Sequence, residues 1–147
     1  MWVSTVPINS SSYKDAAGRG FRILYSYFQG NNDQSAKITM TAPVLTNIIP
    51  SINGPFCNSQ LQAHPIKLPK HKYVVVRRFG GLMDDTSIST QASALKKSFK
   101  NSTWESAIIF NYKISDDHRS LTYMSVAGYN SPFQNENRIN KVLLWFD

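Results

Sequence analysis

The sequence predicts an α+β fold in which a strand–helix–strand unit is used twice, and three observations predict it. Lys37-Ile38-Thr39-Met40-Thr41-Ala42-Pro43-Val44 alternates apolar and polar residues and ends at a proline, as a half-buried strand does. Ala127-Gly128-Tyr129-Asn130-Ser131-Pro132 is its distant counterpart, again a strand running out at a proline. Each follows a segment whose apolar residues recur at helical spacing.

The elements then follow in order. Trp2 to Val6 reads as a short strand, and Ser10-Ser11-Ser12 supplies N-cap candidates for the first helix. Tyr13, Ala17, Phe21, Leu24 and Phe28 form one face of that helix, weakened by Gly18 and Gly20 and ended by the turn residues Gly30-Asn31-Asn32-Asp33. After the strand Lys37–Val44, residues 45–70 hold four of the seven prolines and show no clean period, so a long irregular segment is expected where the repeat calls for a strand. Tyr73 to Phe79 is a β-branched strand closed by Gly80-Gly81. Asp84-Asp85-Thr86-Ser87 caps a second helix with the apolar face Ile88, Ala92, Leu95 and Phe99. Ala107–Ile114 and Leu121–Ala127 read as a hairpin, and Val142–Phe146 as a final buried strand.

Length and composition set the bounds. A chain of 147 residues is one domain by size, 1–147, and 41% hydrophobic and 12% aromatic residues describe a packed globule. No run reaches the roughly 18 apolar residues of a membrane span. The start, Met1-Trp2-Val3-Ser4-Thr5-Val6-Pro7, has neither basic region nor apolar segment and does not read as a signal peptide. A cytoplasmic location is the expectation for this chain; a plastid or secreted one would need a leader upstream. The net charge of +7 favours anionic partners, but its densest cluster, Lys67, Lys70, His71, Lys72, Arg77 and Arg78, lacks any nucleic-acid-binding signature.

The usual catalytic arrangements are missing: no G-x-G-x-x-G, P-loop, G-x-S-x-G or H-E-x-x-H occurs, so no enzyme is expected. Cys57 is the only cysteine and has no base beside it in sequence, which reads as an inert thiol. His64, His71 and His118 show no metal-ligand spacing and read as exposed loop residues; His71 is the best of them for an axial iron ligand. The first helix is more informative. Arg19, Arg22, Ser26 and Gln29 share a polar face bordered by Phe21 and Tyr25, which stand four apart and so neighbour each other. Ring faces beside guanidinium forks suit a flat aromatic ligand carrying carboxylates; a plain core face with solvated arginines is the alternative.

At this point the chain resembles the SOUL heme-binding family. The matching segments are Trp2–Thr5, Gly20-Phe21 with Tyr27–Asn31, Lys37–Val44, Gly54-Pro55-Phe56, Val76–Gly81, Ala127–Pro132, and Asn137-Arg138 with Asn140. Gly54–Ser59 is similar to plant members in particular. The resemblance implies a distorted antiparallel β-barrel of two pseudo-symmetric strand–helix–strand–strand halves, with two helices packed outside, as in the gyrase-inhibitor-like effector-binding fold. It also implies heme or another tetrapyrrole, carried or buffered without catalysis in a shallow apolar groove beside the first helix. Carried over by position, the groove's apolar contacts fall on Phe21 and Tyr25. Its basic positions fall on Gly18, Ser26 and Gln134, none of them basic here, and Arg19 and Arg22 stand as substitutes.

Compared with that family, the first half is expected to be incomplete. Family chains begin earlier, and between Ser59 and Lys67 only Gln60–Ile66 stands where a strand and a proline-rich loop are usual; Lys141 replaces an acid. Missing strands expose unpaired edges, which favours a homodimer or other association. Two further readings follow: a protein-interaction module that presents the helix 88–99 to a groove, and a truncated isoform without ligand binding.

Overall fold

Among the described residues, two helices and six strands run in the order β1 (Trp2–Thr5), α1 (Tyr13–Phe28), β2 (Val44–Ile48), β3 (Ala63–Ile66), β4 (Tyr73–Phe79), α2 (Asp85–Phe99), β5 (Met124–Gly128) and β6 (Asn140–Phe146) in the computed structural model of the protein. It describes residues 1–48, 63–68, 70, 73–106, 124–131 and 133–146. Cys57, His71, His118 and the first arm of the expected hairpin lie outside the described residues. The α+β class and the repeated strand–helix–strand–strand order are therefore present. The strands form a two-stranded sheet, β1-β3, and a four-stranded one, β2-β5-β6-β4, with every pairing antiparallel. A closed barrel is not formed among the described residues, because no ladder joins β1 or β3 to the larger sheet. The repeat survives in the pairing: β1 pairs with β3 as β4 pairs with β6.

The chain divides into two compact units, the first comprising Met1–Thr41 with Ser51–Pro69, the second Ala42–Pro50 with Lys70–Asp147. In the first, Ser12 caps α1, its hydroxyl accepting from the Asp15 amide. Gly30, at φ +112°, ends the helix in a conformation that favours glycine. The helix packs against β1 and β3, and none of its residues is fully buried.

Two strand expectations are corrected here. Lys37–Thr41 is not a strand; β2 begins at Val44 and runs on to Ile48. Asn32 holds the preceding turn, its Nδ2 donating to the carbonyls of Tyr27 (2.8 Å) and Ala36 (2.7 Å), and the Ile38 amide donates back to Phe28 O (2.9 Å). The segment's polar backbone is thus tied to the end of α1, and Pro43 has no N–H to offer a ladder, so pairing starts after it. Conversely, the stretch read as irregular contains β3, with Pro65 opposite Val3 and His64 opposite Ser4. In a two-stranded sheet each strand is an edge, where proline is tolerated. His64 is accordingly an exposed strand residue rather than a loop residue.

The second unit carries most of the described core. The two motifs that announce the repeat meet in it: Val44 pairs with Gly128 and Leu45 with Ala127. Val126, Ala127 and Val142 are fully buried, and Leu144 and Phe146 nearly so. α2 lies on this sheet through Ile88, Ala92 and Leu95, all buried, and Arg77 Nε donates to Gln91 Oε1 (2.7 Å) beside them. The apolar face of 88–99 is thus core at these three positions and is not presented to a partner; only Phe99 is half-exposed. Within the sheet, Trp145 Nε1 donates to Ser125 Oγ (2.9 Å), which donates to Asn47 Oδ1 (2.7 Å), satisfying a serine that is 1% exposed.

Asp84 caps α2 in a reciprocal capping box with Ser87. Its carboxylate accepts from the Ser87 amide at 2.7 Å, and the hydrogen bonds from Ser87 hold it below the ordinary aspartate range. A depressed folded value means that the contribution is complete above the unfolded pKa and is lost as pH falls through the folded one. We expect a series of thermal melts in acid to show this loss in the wild type, and Asp84→Ala to lack that component while starting from a lower melting temperature. Parallel curves for the two proteins would contradict it.

Candidate functional site

The site begins with spacing on α1. Residues three, four and seven apart share a helix face, which places Gly18, Phe21, Arg22 and Tyr25 together. Phe21 and Tyr25 are stacked, with ring centroids 5.7 Å apart and planes inclined by 28°. Phe21 is half-buried, while Tyr25 is 48% exposed. Such an exposed aromatic ledge, anchored by its inner ring, offers an apolar surface for another flat group.

The cations beside it differ in availability. Arg19 Nη1 donates to the Asn9 carbonyl (3.2 Å) and lies 3.6 Å from Asp15 Oδ2, an i,i+4 ion pair exposed on both sides. Its charge is therefore partly answered already, and an exposed pair of this kind contributes little to stability. Arg22 is exposed and has no partner among the described residues. It sits one position from Phe21 and three from Tyr25, so its guanidinium is an open cation beside the ring pair. The remaining family positions are neutral in fact as in sequence. Ser26 Oγ accepts from Asn31 Nδ2 (3.2 Å), and Gly18 leaves open space, for an added Cβ would meet nothing within 4 Å.

That opening gives a direct stability test. Gly18→Ala removes backbone freedom from the unfolded chain and meets no obstacle in the helix, so it should stabilise by about 0.5–1 kcal/mol. Equilibrium urea unfolding measures this, and a loss of stability would mean that α1 lies closer to other groups here than described.

Gln134 belongs to the second unit, in the turn that precedes β6. Its Nε2 donates to the Glu136 carbonyl (2.8 Å), and its own carbonyl accepts from Arg138 Nη1 (2.8 Å). The structure thus joins Phe21, Tyr25, Arg19 and Arg22 on one helix, and ties Gln134 to Arg138. The sequence places Arg138 only within a family segment and Arg78 in another such segment and in the basic cluster; the β4–β6 register brings the two to one depression. Sequence spacing carries no trace of that juxtaposition.

No cluster of metal-ligating side chains occurs among the described residues, and no described helix is long and apolar enough to cross a membrane. Comparison with known proteins adds the lineage. The family model "SOUL heme-binding protein" matches residues 1–145. The chain is 32% identical over 153 residues to heme-binding protein 2 of Homo sapiens, an alignment covering 97% of this chain and 72% of that protein. It is 30% identical over 162 residues to heme-binding protein 2 of Mus musculus, with the same coverage. With the repeated strand–helix–strand–strand order and a match over nearly its whole length, the chain belongs to the SOUL heme-binding protein family.

Proposed function

We propose that this protein binds heme or a closely related tetrapyrrole on the outer face of α1, and carries or buffers it without catalysing a reaction. The observation that carries the reading is the stacked Phe21–Tyr25 pair, exposed at its outer ring on a helix with no fully buried residue. Family membership and relatives named as heme-binding proteins support the ligand class. The donor set fits such a ligand. Two rings offer an apolar face, Arg22 offers an open guanidinium for a propionate, and Arg19 offers a second one in exchange for its solvent-exposed pair with Asp15.

Heme would supply a flat apolar macrocycle with two carboxylates, and the roles of the chain's own residues follow from that. Phe21 and Tyr25 would hold the apolar face of the macrocycle by their rings. Arg22 orients the ligand by its charge, and Gly18 keeps the preceding turn open to close approach. A shallow surface site of this kind releases its ligand readily, which suits carriage or buffering.

Titration of the full chain with hemin, read at the Soret band, tests the proposal. The expected result is a saturable shift, tighter than that given by an unrelated basic protein of equal charge. A linear, unsaturable response would sink it. A cooperative circular dichroism melt of the same preparation shows that the titrated protein is folded.

A further inference from the structure

At the foot of the four-stranded sheet, where β4 ends and β6 begins, Arg78, Gly80, Gly81, Asn137, Arg138 and Ile139 line an open depression of about 560 Å³. Two of the six lining residues are cationic and none is acidic. We infer that this depression is an oxyanion-binding site, taking a small ligand with a carboxylate or phosphate group and lined by no residue of α1.

The electrostatics come first. Arg78 stands directly opposite Lys141 across the β4–β6 ladder, so like charges face each other on one side of the sheet. Such a pairing is unfavourable unless something answers it. Lys141 Nζ lies 4.6 Å from the Tyr129 ring centroid and is partly accommodated by that ring. Arg78 is exposed with no partner among the described residues. Asp84, the acid that follows the Gly80-Gly81 turn, is already committed to the cap of α2.

Arg138 adds the geometric observation. Its Nη1 is tethered to the Gln134 carbonyl at 2.8 Å, which holds the guanidinium in place. Its Nε is buried and has no hydrogen-bond partner among the described residues, so a ligand in the depression reaches the guanidinium through its outer nitrogens. An oxyanion is the acceptor that a guanidinium fork is shaped for.

The surrounding backbone is held as a receptor rather than a floppy turn. Asn140, 1% exposed, donates from Nδ2 to the Gly81 carbonyl at 2.9 Å. The Ile139 amide donates to Asn130 Oδ1 at 2.6 Å, which fixes the opposite wall. Gly81, at φ +77°, adopts a conformation that glycine favours, and a Cβ there would meet nothing within 4 Å, so its side of the depression stands open.

The test is a titration of the full chain with sodium phosphate and, separately, sodium acetate, at constant ionic strength balanced with sodium chloride. Amide resonances of Gly80 and Gly81 and the Arg138 Nε–H are followed by ¹⁵N–¹H correlation spectra. Saturable displacement of these signals is expected. Saturation by phosphate alone assigns phosphate-bearing ligands, and saturation by acetate alone assigns carboxylates. Arg78→Gln, a change at an exposed side chain, should weaken binding at least about tenfold while leaving the hemin titration unchanged. Displacement by chloride to the same extent, a response without saturation, or an affinity unaltered by Arg78→Gln would overturn the inference. Because hemin is read on α1 and the anion at Gly80 and Gly81, failure of one reading leaves the other standing.

Discussion

Leu95→Ala is expected to destabilise the protein by about 2–5 kcal/mol. Leu95 is 3% exposed on the inner face of α2, in line with Ile88 and Ala92, over a sheet whose central residues Val126 and Val142 are fully buried. Truncation there loses the transfer free energy of the removed methyl groups and leaves a cavity between a helix and a sheet that cannot close over it completely. Thr90→Ala, on the exposed side of the same helix, should stay within about 0.5 kcal/mol of the wild type. Equilibrium urea unfolding of the pair separates helix propensity from packing. A Leu95→Ala change no larger than that of Thr90→Ala would place the side chain outside the core, and would return the face of 88–99 to consideration as a binding surface. A large difference would mean that a partner could reach this face only by first taking the second unit apart.

What could be read from the sequence divides along a physical line. α1 and α2 were legible with their faces and caps, since helical periodicity and N-cap chemistry are local properties: Tyr13, Phe21 and Phe28 mark one helix, Asp84 and Leu95 the other. Strand position was less so. Lys37–Val44 has the alternation of a strand, but alternation says nothing of whether a partner lies alongside, and Asn32 ties the chain back to α1 instead. β3 was hidden by Pro65, which argues against a central strand and says little about an edge. The same division holds for binding. Phe21 and Tyr25 were legible because four residues apart on a helix means adjacent in space. Arg78 and Arg138 meet only because Phe79 pairs with Asn140, a register that no local pattern encodes.

The largest functional effect is expected from removing both rings of the α1 ledge. In Phe21→Ala/Tyr25→Ala, each lost aromatic contact with a flat ligand is worth about 1–2 kcal/mol, so hemin affinity should fall by about thirtyfold to a thousandfold. The two rings touch, which makes their effects non-additive: either single variant leaves its neighbour free to reorient, and the double falls short of or exceeds the sum. Tyr25→Phe separates ring from hydroxyl. It keeps the exposed face and should bind within about twofold of the wild type, since less than 0.5 kcal/mol is at stake. Arg22→Gln removes a solvent-exposed charge and should cost about two- to fivefold, an effect that shrinks as salt is raised. Phe21 is half-buried, so each variant is titrated below the onset of its own melting transition, where a loss of affinity cannot be a loss of fold. An undiminished Soret shift in the double variant, or a collapse of binding in Tyr25→Phe, would remove the ledge from the site: the first because no ring is needed, the second because an oxygen and not a ring face does the binding.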